Sequence, residues 1–364
     1  MKLSVIILNY NVCHFLELCL KSVEKATSTI NSEIIVIDNN SIDGSCEMVK
    51  RLFPEVTLIE NDENSGFSKG NNIAVSKAKG EYLCILNPDT VVAEDTFVKL
   101  LSFAENKEKL GIVGCKLING SGVFLPESKR NIPYVNVAFK KFFGNSEEYY
   151  ANHLNKNSIG EVDILVGAFM LIKREVYNSV LGFDEDYFMY GEDIDLSYKV
   201  HNAGYQNYYY GETSVIHFKG ESTLKDKSYA RRFYGAMQIF YEKHFKKNKL
   251  FDLFVWAGII VMCFFRRLPK VKKKNILNYL FISDKMNEQL KDKLSKNIIL
   301  KSNLDNVKKD TEVIFDANVL SYKEIITLIE KNNNDNITFK ILPNASNFIL
   351  GSDNGFRRGE IIQF

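Results

Sequence analysis

The stretch ILNPDTVV, residues 85–92, turns a run of apolar residues into an amide and a carboxylate, Asn87 and Asp89, on either side of Pro88. Proline has no N–H to give a sheet ladder, so the strand YLCIL (82–86) must stop there. Asp89 is then held in place without competing for sheet hydrogen bonds. Oxygen ligands of this kind suit Mg2+ or Mn2+, which bind through one or two carboxylates plus the phosphates of a substrate. Taken alone, Asn87-Pro88-Asp89 also fits a plain turn with an asparagine cap. Two other strand-like runs end in the same manner: SVIIL (4–8) runs into Asn9-Tyr10-Asn11, and EIIVID (33–38) closes on Asp38. Asp38 could accept from a base N–H or from ribose hydroxyls, and Tyr10 offers an aromatic face. One or two Asp or Asn residues suffice for turns, so this crowding points to a nucleotide and its diphosphate. Further on, Glu192 and Asp193 stand in the first turn of a helix whose apolar side carries Leu196, Val200 and Ala203 and which Gly204 stops. Carboxylates there also complement the helix dipole.

The elements that must position these groups alternate. Strands at 4–8, 33–38, 56–60 and 82–86 are separated by helix-period stretches, in which Phe15, Leu16, Cys19, Leu20 and Val23 form the first apolar stripe. Such alternation predicts a mainly parallel sheet covered by helices, with ligands bound at the carboxyl ends of its strands. VDILVGAFMLIK (162–173) reads as a long strand interrupted at Gly167, where something approaches the backbone. A nicotinamide dehydrogenase would need a G-x-G-x-x-G turn after the first strand. The turn here is LNYNVCHF, with no glycine.

The chain has 364 residues, 45% of them hydrophobic and 25% charged, which allows two domains or one with an appendage. A formal net charge of +2 argues against an overall nucleic-acid-binding field, though it leaves room for a local cluster, and no such motif occurs. Six cysteines without a CxxC pair suit a reduced, cytosolic protein. The apolar start is too short for a signal peptide. Residues 253–265, LFVWAGIIVMCFF, would span ~20 Å as a helix against roughly 30 Å of bilayer core. Their flanks are basic on both sides, with Lys243, Lys246, Lys247 and Lys249 before and RRLPKVKKK after. A helix lying in the interface with its lysines on anionic lipid satisfies both facts. Residues 312–342 read as a small β-α-β element.

Seven stretches, in order, resemble the motifs of family 2 glycosyltransferases of the GT-A fold, in particular rhamnosyltransferase-like members. They are SVIILNYN (4–11), VIDNNSIDGS (36–45), ENSGFSKGNN (63–72), LNPDTVV (86–92), VGAFMLIKR (166–174), FDEDYFMYGEDIDLSYK (183–199) and IHFKGEST (216–223). The fold class expected is therefore α/β: a GT-A fold with a mainly parallel central sheet, plus a C-terminal membrane-interfacial helix and a small α/β appendage. The expected divisions are a transferase domain at 1–245, a basic and apolar docking segment at 246–282, a linker at 283–310 and a β-α-β unit at 311–364.

The resemblance implies roles residue by residue. Asn9, Tyr10, Asn11 and Asp38 would surround the nucleotide. Asn64, Gly66, Lys69 and Asn71 would lie in the loop around the nucleotide-sugar. Asn87-Pro88-Asp89 takes the position of the family's DxD motif, with Asp89 as metal ligand and Asn87 where an aspartate is usual. His217 would complete the site for Mg2+ or Mn2+. Of Glu192 and Asp193, the family places the general base on Asp193. The activity implied is inverting transfer of a sugar, with dTDP-rhamnose the first guess, to a lipid-linked or cell-surface glycan. It would proceed in the cytoplasm, peripherally on the inner face of the cell membrane, without nucleic acid. The alternative is a non-catalytic nucleotide-sugar-binding scaffold of a membrane glycan-assembly complex, which Asn87 favours and the intact GED and His217 oppose. A nucleotidyltransferase would want a glycine-rich basic loop after the first strand.

Overall fold

The computed structural model describes residues 1–134, 137, 140, 144–221, 227–245, 275–294, 296–305, 307–334, 337–353 and 358–364. The first sheet is built from β1 (Leu3–Asn9), β2 (Ser32–Asp38), β3 (Thr57–Glu60), β4 (Tyr82–Leu86), β5 (Thr90–Val91), β6 (Leu110–Ile118), β7 (Ile159–Glu161), β8 (Phe169–Lys173) and β9 (Gln206–His217). Their order is β3-β2-β1-β4-β8-β6-β9-β5, with β7 on β9. Strands β3, β2, β1 and β4 run parallel to one another, and β8 runs antiparallel between β4 and β6. All five residues of β4 are buried, which is why the run is apolar without alternation.

Helices α1 (Cys13–Thr27), α2 (Ser45–Leu52), α3 (Gly66–Lys77), α4 (Thr96–Glu105), α5 (Arg174–Ser179), α6 (Glu192–Asn202) and α7 (Lys227–His244) accompany this sheet. Helix α1 buries Phe15, Leu16, Cys19, Leu20 and Val23, the stripe read from its period. The register sets Asn9 opposite Asp38 and Ile7 opposite Leu86, so the polar ends of β1, β2 and β4 finish side by side.

Two expectations are corrected. Residues 162–168 are not strand: β8 begins at Phe169, and the preceding segment bends so that Ile164 bridges Arg130 instead. Residues 283–310 are not a bare linker. They hold α8 (Glu288–Lys293) and β11 (Ile298–Lys301), which follow β10 (Asn278–Ile282). With β12 (Thr311–Asp316), α9 (Tyr322–Lys331), β13 (Ile337–Leu342), β14 (Phe348–Gly351) and β15 (Glu360–Gln363) they form a second sheet, ordered β11-β10-β12-β13-β14-β15.

The second sheet does not stand apart. One apolar cluster joins Phe15 and Leu18 of α1, Val91 of β5 and Ile216 of β9 to Val313, Ile325, Phe339 and Leu350. Polar ties surround it: Glu94 accepts from the amides of Tyr322 and Lys323 at 2.7 and 2.9 Å, and Lys116 pairs with Glu330 at 2.9 Å. Residues 253–265, read as an interfacial helix, lie outside the described residues. Among the described residues no helix is long and apolar enough to cross a membrane.

Candidate active site

A cleft of about 370 Å³ opens at the carboxyl ends of the first sheet. Tyr10, Asn64, Gly66, Asn87, Asp89, Glu192, Asp193 and His217 line it, so residues more than two hundred positions apart meet there. Asn9, Asn11, Asp38, Lys69 and Asn71 do not line it. Asn9 and Asp38 stand behind the wall: Asn9 Nδ2 donates to Asp38 Oδ1 at 2.7 Å, and Asp38 Oδ2 accepts from Ser41 N at 2.7 Å. Asn11, with φ +55°, accepts from Ile42 N. Lys69 is exposed, its Nζ 3.8 Å from Glu63. Asn71 is buried and donates to Phe67 O.

Asn39 organises the wall beside Asn64 and Gly66; it lies within VIDNNSIDGS but is not singled out by that stretch. Its Nδ2 donates to Gly66 O at 3.0 Å and Asn64 Oδ1 at 3.3 Å, while its Oδ1 accepts from Asn61 and Ser65. Gly66 has φ +78°, and a Cβ on it would sit 2.4 Å from Phe188 O, so only glycine fits.

At the end of β4, Asp89 is 1% exposed, and its Oδ1 has no hydrogen-bond partner. His217 Nε2 lies 3.4 Å from that oxygen and 3.4 Å from Asn87 Nδ2, and the other ring nitrogen, Nδ1, is also unpartnered. An orphaned buried carboxylate oxygen beside an imidazole fits a small divalent cation whose remaining ligands come from a diphosphate. Among the described residues no three acidic, histidine or cysteine side chains gather into a self-sufficient metal cage.

Across the cleft, Tyr190 and Gly191 take φ +72° and +80° and deliver Glu192 and Asp193 at the start of α6. Asp193 Oδ2 accepts from Arg130 Nη2 at 2.6 Å and from Gly167 N at 3.1 Å, and Oδ1 accepts from Ile194 N at 2.8 Å. The backbone at Gly167 is thus approached by the Asp193 carboxylate. Burial opposes the charge on Arg130, but Asp193 and Tyr149 outweigh it and hold the guanidinium above its usual range. Glu192 is also buried, with Oε2 unpartnered. Burial first, and Asp193 second, push its carboxyl up to about 8. Two adjacent carboxyls in one desolvated place do not both ionise readily near neutral pH. Arg130 pairs with Asp193 and not with Glu192, and Glu192, buried beside that carboxylate, favours its protonated form.

Asp195, two residues further, does not line the cleft and is fully buried, with Lys199 Nζ at 3.1 Å and His244 Nε2 of α7 at 2.6 Å. It braces α6 against α7. Arg130, Tyr149, Tyr150, Tyr190 and Phe233 complete the far wall, and Glu127 and Lys219 also line the cleft.

The profile of Glycosyl transferase family 2 matches residues 4–181. An N-acetylglucosaminyl-diphospho-decaprenol L-rhamnosyltransferase of Mycobacterium tuberculosis is 26% identical over 241 residues, covering 62% of this chain and 78% of that protein. Rhamnosyltransferase WbbL of Escherichia coli K12 is 27% identical over 196 residues, 51% of this chain and 74% of its own. Among solved structures, GalNAc-T7 with UDP, GalNAc and Mn2+ aligns over 67% of this chain and 48% of its own, at a TM-score of 0.51 and 17% identity, a likeness of fold. Residues 4–181 are therefore a family 2 glycosyltransferase domain of the GT-A fold, rhamnosyltransferase-like in sequence.

Proposed function

We propose that the protein is an inverting glycosyltransferase that takes a sugar from a nucleotide-diphosphate donor and attaches it to a hydroxyl of a lipid-linked glycan at the inner membrane face. The observation that carries this reading is Asp193, paired with Arg130 and facing the cleft that Asp89 and His217 also line. A carboxylate has about four lone-pair sites. Three are taken by Arg130, Gly167 and Ile194, which leaves one on Oδ1 for an acceptor hydroxyl.

Asp193 accepts the hydroxyl proton as the acceptor oxygen bonds to the anomeric carbon. The bond from that carbon to the diphosphate breaks on the opposite face, and the configuration inverts. One base suffices, unlike the pair a glycosidase uses. Asp89 and His217 would hold Mg2+ or Mn2+, which when bound offsets the charge of the departing diphosphate. Tyr10, Asn64 and Gly66 face the nucleotide, and the aromatic far wall faces the acceptor. The relatives named for rhamnosyl transfer, one of them onto a diphospho-decaprenol lipid, make dTDP-rhamnose the first donor to try.

Calorimetry with UDP-, GDP- and dTDP-sugars, with and without Mn2+, tests the donor, with Asp89→Ala as control. Asp193→Asn should retain donor binding and lose transfer by about 10²–10⁴-fold. Equal loss of both would remove Asp193 from the chemistry; nucleotide-sugar binding without transfer would favour the scaffold reading, and no binding at all by folded protein would sink both.

A further inference from the structure

Lys219 and Gly220 follow β9 with φ +56° and +94°. A lysine in this region is uncommon and persists where its surroundings over-determine it. Both ends of the turn are fixed. Upstream, His217 pairs with Thr90 in the β5–β9 ladder, and Phe218 N donates to Asp89 O at 3.0 Å. Downstream, Glu221, only 2% exposed, accepts from Gly359 N at 2.6 Å. Gly359 belongs to the second sheet's unit, just before β15. A Cβ there would meet Gly351 O at 2.6 Å, Phe15 Cζ at 2.8 Å and Glu221 Oε1 at 2.9 Å, so the contact is closed to any larger residue.

The turn places Lys219 and Gly220 on the cleft wall with Asp89 and His217. Of the two lysine or arginine side chains that line the cleft among the described residues, Arg130 is committed to Asp193. Lys219 pairs with Glu127, another lining residue. Burial opposes the charge of Glu127, but Lys219 and His217 hold it below the usual carboxylate range. Asn87 stands where the family resemblance implies a second acid, and with Glu127 paired to Lys219, Asp89 is left as the carboxylate beside His217 for a cation. A departing diphosphate then needs positive charge from elsewhere.

We propose that Lys219 binds the diphosphate of the donor, exchanging Glu127 for phosphate oxygens, and that the C-terminal unit is a working part of the donor site because Gly359, through Glu221, holds the turn that carries Lys219. Glu221 is a positioning residue. The inference rests on the nucleotide-sugar reading above and assigns a role to a unit that lies beyond the family match.

The test is calorimetric titration of the full chain in Mn2+ with UDP, GDP and dTDP and with the corresponding monophosphates. If none of the diphosphates binds folded wild-type protein, the donor reading fails and this inference with it. Where one binds, Lys219→Met should weaken it about ten- to a hundredfold, the range of a charge-assisted hydrogen bond, and weaken the monophosphate much less. Unchanged diphosphate affinity, or equal loss for both ligands, overturns the role of Lys219 while leaving the donor reading intact. Gly359→Ala, which cannot touch the nucleotide, should show the same selective loss in smaller measure, and Glu221→Leu should lose more than Glu221→Gln. Wild-type affinity in folded Gly359→Ala overturns the part given to the C-terminal unit. Thermal melts of each variant separate these outcomes from misfolding.

Discussion

Arg130 pairs with one of two adjacent carboxyls, Asp193, and not with the other, Glu192. Its removal leaves Asp193 and Glu192 adjacent without a counter-charge, and breaking a buried pair from one side costs about 3–5 kcal/mol. Arg130→Met should therefore lower the melting temperature and reduce kcat by about tenfold or more, with donor affinity changing little. Nothing in the run SKRNIPY marks this arginine, because its partner lies 63 positions away and only the bent segment around Ile164 brings the two together. Asp193 was legible from GED, its guanidinium was not. The protonated Glu192 has a consequence of its own. Its carboxyl is pushed up to about 8 by burial and Asp193, and that of Glu221 up to about 8 by burial. Unfolded, both would titrate near ~4.3. Between those values the native state holds more protons than the unfolded state, so stability falls as pH rises from about 4.3 to about 8, then flattens. Melting temperatures measured across that window should slope downward, and Glu192→Gln and Glu221→Gln should each flatten the slope.

At the scale of elements, the strand ends were the most legible part of the chain. Period and a proline placed the ends of β1, β2 and β4, and the register then set Asn9 opposite Asp38. Where period misled, a loop had strand-like composition: VDILVGA is apolar because Val162, Ile164 and Leu165 are buried, not because it pairs along its length. Residues 283–310 misled in the opposite sense, since polar lysines and asparagines obscured a short helix and an edge strand with exposed residues. Two element-level predictions follow from local geometry. Gly66→Ala forces a Cβ onto Phe188 O at 2.4 Å and a positive φ on alanine. It should cost about 1–3 kcal/mol and, by opening the start of α3, weaken nucleotide binding in the same titration. Ser321 accepts from Glu324 N while Glu324 reaches back to the Ser321 amide, a complete capping box on α9. Ser321→Ala should cost about 1 kcal/mol in a denaturant melt and leave the cleft untouched.

The two sheets among the described residues share one apolar cluster besides the clusters that each keeps to itself. Ile325, fully buried, sits in the cluster that also holds Phe15, Val91 and Ile216. Ile325→Ala should cost about 2–5 kcal/mol, and hydrogen exchange should show protection falling in β1 as well as in β12. Protection lost from β12 alone would mean that the units unfold separately. The shared cluster also constrains how the chain is made. Phe15, Leu18 and Val91 leave the ribosome early, whereas Phe339 and Leu350 come last. At a synthesis rate of roughly 5–20 residues per second, an apolar face on the nascent transferase domain waits on the order of ten seconds or more for its cover. During that interval it is a surface for chaperones, and slowing translation past residue 223 should raise the fraction of newly made protein that they retain.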